Sequence, residues 1–171
     1  MKLLVATPLS PPDSGGPAVY SDMIQRELPK QGIEVRLVSF RDVRQLPKGL
    51  SHLVFFWRLL RHAWGMDMVY ALDPVSVGLP ARWVARLYSK PFIARTPGFY
   101  AWEQGRQRAG LTETLDQFVE GITQKRRYPW RVRKWLALQL TLARQADLII
   151  VPSQYLKDLY EKLGVPTGHL K

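Results

Sequence analysis

Gly15 and Gly16 follow an apolar strand and precede a helix, an arrangement suited to holding an anion. Leu3-Leu4-Val5-Ala6 is apolar throughout, as in a central parallel strand covered on both faces. A kinked loop with Pro8, Pro11 and Pro12 runs into Ser14-Gly15-Gly16-Pro17, and apolar residues then recur with helical spacing at Val19, Met23, Ile24 and Leu28. In an open α/β sheet, ligands sit beyond the carboxyl ends of the strands, where bare N–H groups at a helix start favour a phosphate. The two glycines would let such a ligand approach the main chain, and Pro17 suits the first helical position. The same residues also read as a turn and helix cap alone, and local chemistry does not separate the two. A second cluster is Lys125 to Trp135, KRRYPWRVRKW, with six basic and three aromatic side chains in eleven residues. Lys125, Arg126, Arg127, Trp130, Arg131, Arg133 and Lys134 are its candidates for contact with an anionic lipid headgroup layer. The plain alternative is a solvated helix start whose Trp130 and Trp135 pack inward. Nucleic-acid binding is a third reading, but no accompanying signature supports it, so no nucleic-acid partner is expected.

Several chemistries are set aside. His52, His62 and His169 form no pair at helical ligand spacing, and cysteine is absent, so no metal site is expected. Ser153 lies in Val-Pro-Ser-Gln-Tyr, without the flanking glycines of a nucleophile elbow. No Gly-Lys-Ser or Gly-Lys-Thr occurs to make a nucleoside triphosphatase loop. A nicotinamide-binding domain would need a tight G-x-G-x-x-G turn, whereas three prolines separate the strand from one Gly-Gly pair. That reading stays as a weak rival, with Asp42 as a ribose ligand.

These residues are positioned by alternating strands and helices. A strand is expected over Glu34–Phe40, a helix over Leu50–Trp64 with Leu53, Phe56, Trp57, Leu60 and Trp64 on one side, a strand over Met66–Leu72 and a helix over Val75–Ser89. Phe92–Thr96 is a fourth strand. Pro97–Thr112 reads as a long irregular stretch of the kind that carries function. Leu115, Phe118, Val119 and Ile122 mark a short helix, Pro129 starts another, Asp147–Val151 is a fifth strand, and a helix runs from Gln154 to Leu163. The expected fold is α/β, a doubly wound parallel sheet of about five strands in three layers, with strand order 3-2-1-4-5. The 171 residues suffice for a single domain with a real core. Residues 82–144 hold thirteen basic and four acidic residues, and thus +9 of the net +11, a field that implies an anionic partner. The absence of cysteine permits a cytoplasmic location, and no apolar stretch approaches a membrane span.

Three stretches carry a resemblance. Met1 to Gly16, the run Gln31-Gly32-Ile33-Glu34-Val35, and Ala146 to Val165 are similar to the N-terminal half of the family 4, or group 1, glycosyltransferases of GT-B architecture. Pro97 to Gln104 also resembles a loop present in a subset of them, and the similarity covers nearly the whole chain. It implies a Rossmann-like domain that binds the acceptor. A C-terminal twin would bind the nucleotide-sugar, a co-substrate, with no cofactor. The sugar would pass with retained configuration to a glycan or lipid-linked acceptor. By this resemblance Gly15 and Gly16 face the donor phosphates, and the acceptor side is lined by Ser153 and the loop after the fourth strand, including Gly98. Many relatives place a histidine after that strand. Here the sequence is Thr96-Pro97-Gly98, so that role is not carried over and catalytic residues stay unassigned. Tyr100 and Glu103 substitute by location only. Glu103 also reads as a solvated carboxylate or a partner of Arg106, and Asp73 as a turn or helix cap rather than an acceptor ligand.

The expectation is therefore the acceptor half of a larger, cytoplasmic, membrane-peripheral enzyme that builds a cell-surface glycan or glycolipid. The C-terminal half would be missing beyond Lys171, and the chain alone would turn over little. The rival is a complete basic module that binds membranes or nucleic acid.

Overall fold

The computed structural model describes residues 1–47 and 49–171. The fold is α/β and Rossmann-like, with a five-stranded parallel sheet and, among the described residues, seven α-helices. No described helix is long and apolar enough to cross a membrane. The chain forms two compact units, Met1–Arg95 and Thr96–Lys171.

In the first unit the strands are β1 (Lys2–Thr7), β2 (Glu34–Ser39), β3 (Met68–Ala71) and β4 (Phe92–Arg95), and the helices are α1 (Gly16–Glu27), α2 (Leu50–Ala63) and α3 (Gly78–Leu87). β1 pairs in parallel with β2 on one side, Leu4 opposite Arg36, and with β3 on the other, Leu4 opposite Val69. β3 then pairs with β4. The unit's order is thus 2-1-3-4, which corrects the expected 3-2-1-4. The cause lies in composition: β2 carries Glu34 and Arg36, which form an ion pair and stay partly exposed, so β2 belongs at an edge. β1 is buried from Leu3 to Thr7, as a strand flanked on both sides must be.

Two helix faces also differ from expectation. α1 turns Ala18, Ser21 and Ile24 inward, while Val19 is 70% exposed and Met23 is also exposed. Small residues let the helix approach its strands closely. α2 buries Ser51, Phe55, Leu59 and Ala63, an i, i+4 stripe, and leaves Leu53, Trp57 and Trp64 exposed. α2 offers apolar residues on two sides; the inner stripe is the one on which the Phe55 ring meets Phe40 edge-on at 5.2 Å, while Leu53 and Phe56 line the groove beside α3.

The second unit contains α4 (Tyr100–Arg108), α5 (Leu115–Thr123), α6 (Trp130–Gln145), β5 (Leu148–Ile150) and α7 (Gln154–Lys162). α4 occupies the stretch expected to be irregular. Its inner face is Ala101 and Gly105 against α6, which has no large apolar periodicity to read. α5 opens with a reciprocal capping box between Thr114 and Gln117. Within this unit β5 receives the Thr96 N–H at Ile150 O (3.0 Å) on one side and the Lys171 N–H at Ile149 O (2.9 Å) on the other.

A buried polar chain organises the unit. The Ala101 N–H donates to Gln139 Oε1 (2.8 Å), and Gln139 Nε2 donates to the Tyr160 hydroxyl. The Tyr160 and Thr96 hydroxyls are 2.7 Å apart, and Thr96 Oγ1 donates to Gly98 O (2.8 Å). Gln139 and Tyr160 are fully buried. The substitution Gln139→Leu strands a first-turn N–H of α4, and it should cost about 2 kcal/mol and lower Tm by about 4–8 °C. Pairing it with Tyr160→Phe should cost less than the sum of the two single changes. Thermal denaturation of the three variants checks both outcomes.

Candidate functional site

At the carboxyl end of β1 the loop is held by two buried hydroxyls. Thr7 Oγ1 donates to Leu9 O (2.7 Å), and Ser21 Oγ lies 2.9 Å from Ala18 O and 3.4 Å from Leu9 O. The Pro11–Pro12 peptide is cis. Gly15, at φ 125°, caps α1 without a side chain, a conformation closed to most L-residues. Gly16 is the first helical residue and Pro17 the second, one position later than expected for the proline. The carbonyl of Gly15 accepts from the N–H groups of Ala18 and Val19 (both 3.1 Å). No described residue accepts from the N–H of Gly15 or Gly16, and a Cβ on Gly16 would meet nothing within 4 Å. The helix start therefore presents donors to open space.

Two arginines flank this loop. Arg41 Nε and Arg44 Nη2 both lie 3.4 Å from Asp13 Oδ1, and Arg41 Nη1 reaches Pro11 O. One carboxylate against two guanidiniums leaves the neighbourhood positive, which suits a phosphate. The residues just after β2 were legible as a strand end, but the return of Arg41 and Arg44 onto Asp13, some 30 residues back, has no local signal.

A third group joins α1 to the strand ends. The hydroxyls of Tyr20 and Tyr70 are 3.2 Å apart, and the Arg95 guanidinium sits 4.1 Å over the Tyr20 ring. Burial pushes the Tyr70 hydroxyl far above the ordinary tyrosine range, and the hydrogen bond to Tyr20 adds to the effect, while Arg95 opposes it. Tyr70 therefore stays protonated at neutral pH and acts by hydrogen bonding. Asp73 closes the turn before α3: its Oδ1 accepts from the N–H groups of Val75 (2.6 Å) and Ser76 (2.9 Å).

In the second unit Gly98, Tyr100 and Glu103 come together at the start of α4. Tyr100 is its first residue, and the Glu103 carboxylate folds back against Gly98, so that any Cβ at Gly98 would collide with Glu103 Oε1. Trp102, Glu103, Arg106 and Gln107 line an open cavity of about 370 Å³, with the Arg106 guanidinium over the Trp102 ring at 5.2 Å. Ser153 caps α7, its Oγ accepting from the Leu156 N–H (3.3 Å). That bond gives Ser153 a structural task whatever else it touches.

The basic aromatic segment divides. Lys125, Arg126, Arg127 and Arg133 line a cavity of about 430 Å³. Trp130 is 67% exposed, with Arg131 stacked over its ring at 5.5 Å, and Lys134 is exposed on the same helix. The inward member of the segment is Tyr128, whose hydroxyl donates to Glu113 Oε2 (2.9 Å) and is pushed up to about 12 by burial and then by that bond. Trp130 and Trp135 are therefore not the anchors of this segment; Trp135 is only half-buried.

Among the described residues no three of His, Cys, Asp and Glu are disposed to share a metal ion. At this strand end the first unit places two backbone N–H groups without an acceptor among the described residues, a helix start and two flanking guanidiniums. A family model described as a glycosyl transferase 4-like domain matches residues 5–171. No curated protein matches the chain. The match begins within β1 and takes in the glycine loop, every α-helix and the final strand. A fold of this topology, matched along nearly all its length, belongs to the glycosyl transferase 4-like domain family, and its function is of the glycosyltransferase type.

Proposed function

We propose that the chain is the acceptor-binding, N-terminal half of a retaining glycosyltransferase, which moves a sugar from a nucleotide-sugar to a glycan or lipid-linked acceptor. The observation that carries this is the glycine loop of a family 4 domain with unclaimed N–H groups opening on empty space. In the reaction the bond between the anomeric carbon and the nucleotide's terminal phosphate oxygen breaks, a bond to an acceptor hydroxyl oxygen forms, and the hydroxyl proton passes to the leaving phosphate. Charge builds on the leaving phosphates, where fixed backbone donors and the positive end of α1 stabilise it most. Gly98, Tyr100, Glu103 and Ser153 are the proposed acceptor-side residues, Asp73 being occupied in the turn before α3. The donor's nucleotide would be held by a second α/β half, and this chain alone would turn over little.

We further infer a peripheral position on an anionic membrane, cytoplasmic in location. The support is a face of the first unit. His52, Leu53, Phe56, Leu79, Trp83 and Leu87 line an apolar groove of about 350 Å³ between α2 and α3. Trp57 and Trp64 are exposed on α2, the latter at 77%. α2 and α3 carry Arg58, Arg61, Arg82 and Arg86 and no acidic residue. Exposed tryptophans beside arginines fit the headgroup layer of an anionic bilayer.

Two outcomes are expected. Gly16→Val in the full gene product should leave Tm unchanged, since the new side chain meets open space, and should lower kcat/KM for the nucleotide-sugar at least tenfold. An unchanged kcat/KM would remove this loop from the donor phosphates, and failure of the wild-type product to release nucleotide with any glycan or polyprenyl-linked acceptor would end the transferase reading. In sedimentation with anionic vesicles, Leu53→Glu with Leu87→Glu should weaken binding about tenfold or more while the fold persists, both sites being exposed. Unaltered partitioning would show that this face is not the contact.

A further inference from the structure

We propose that the cavity between the end of α5 and the start of α6 is a binding site for a phosphate monoester or diphosphate group. The inference does not depend on sugar transfer, because the site is read from binding alone.

Four cations, Lys125, Arg126, Arg127 and Arg133, line this cavity of about 430 Å³, with Ile122 and Leu136 forming apolar wall. Arg126 is paired with Glu113. Lys125, Arg127 and Arg133 have no carboxylate within ion-pair distance among the described residues. Three uncompensated charges around one concavity repel each other unless an anion joins them. α6 adds to the same field: its 16 residues follow Pro129, which gives no side-chain cap, and no acidic residue occupies its first turn.

The site is built rather than draped. Tyr128 is buried, and its ring meets Phe118 edge-on at 4.8 Å. The two carboxylate oxygens of Glu113 are divided between Arg126 and the Tyr128 hydroxyl, so a single acid braces both a wall cation and the floor. A Cβ at Gly121 would collide with the Tyr128 hydroxyl, so the floor needs glycine there.

The backbone at Lys125 points the same way. α5 ends in a Schellman turn, with the Arg126 N–H on Gly121 O (2.8 Å) and the Lys125 N–H on Ile122 O (3.0 Å). Lys125 occupies the left-handed position of that turn at φ 58°, where glycine carries no strain. The equivalent positions after Gln31 and Leu163 are Gly32 and Gly164. A strained residue that also lines a cavity is the pattern of a ligand clamp. Concavity and the paired brace favour a compact phosphate over a flat lipid surface, and the outward stack of Arg131 on Trp130 lies outside the lining.

Calorimetric titration of the chain with inorganic pyrophosphate tests this, beside sedimentation with phosphatidylcholine vesicles containing either phosphatidic acid or phosphatidylglycerol at equal zeta potential. Saturable pyrophosphate binding, weakened at least tenfold in Arg127→Gln/Arg133→Gln and unmoved in Arg131→Gln, supports a site for free diphosphate. No pyrophosphate binding, but a preference for phosphatidic acid lost in the same double variant, supports a lipid-borne phosphate monoester. Equal binding to both vesicle types without pyrophosphate binding, no binding to any probe, or binding indifferent to Arg127 and Arg133 overturns the proposal. Lys125→Gly guards against misfolding as the cause: it should raise Tm by about 2 °C while weakening whichever ligand binds. A gain in Tm with binding intact would also count against the site.

Discussion

The buried hydrogen-bond chain from Ala101 through Gln139, Tyr160 and Thr96 to Gly98 has only one consistent direction. Gly98 O can only accept, so Thr96 must spend its single hydroxyl proton there, and Tyr160 must then donate to Thr96. Tyr160 is left with a lone pair for the Gln139 amide, whose carbonyl end meets the Ala101 N–H. The Ala101 N–H and both hydroxyl protons find acceptors, and the orientation of the Gln139 amide follows from the network. In a site of low dielectric, such a chain is far less costly than its fragments. It fixes the loop after β4 and the first turn of α4 at once, although Gln139 is 38 residues away in sequence from the amide it satisfies.

The same local device appears at the end of β1. Thr7-Pro8-Leu9 and Thr96-Pro97-Gly98 each follow a strand, and in each the threonine hydroxyl donates to the carbonyl two residues on. Proline has no N–H to continue a ladder, so the chain must leave the strand there, and the threonine replaces the lost partner. Both threonines are buried, so the exposed loops beyond them start from fixed points. This is why a loop as rich in proline and glycine as residues 8–16 can present its donors in a set geometry, and why Gly98 can sit tightly under Glu103.

The sequence was legible where one signal sufficed. β1 as an inner strand, the glycine turn and the order of alternating elements all follow from runs and spacings of a few residues, and the resemblance to family 4 glycosyltransferases agrees with the domain match. It was illegible where two readings shared a pattern. α2 offers apolar residues on two sides, and only tertiary packing, with Phe55 against Phe40, selects Phe55 and Leu59 over Leu53 and Trp57. α4 shows small residues to α6, so no hydrophobic period announced it. The strand order had a signal that the right-handed crossover rule alone does not use: Glu34 and Arg36 in β2 suit an edge. Of the candidate site, Gly15 and Gly16 were visible from their position. Arg41, Arg44 and the Tyr20–Tyr70 pair were not, because their partners are distant in sequence.

Folding alone does not account for the charge. Residues 82–144 hold thirteen basic residues and only four acidic ones, so pairing within the segment can neutralise four at most, and self-repulsion weakens the folded state. One of those acids, Glu113, is already shared between Arg126 and Tyr128, and Glu103 is turned toward Gly98. The surface tryptophans add a second cost to solubility, since Trp57, Trp64, Trp83 and Trp130 stay exposed when burial would stabilise them. A chain that keeps both features carries them against its own stability. On the readings proposed above, the charge belongs to the phosphate cavity of the second unit and the exposed tryptophans of α2 and α3 to a bilayer contact, each feature serving a contact rather than the fold.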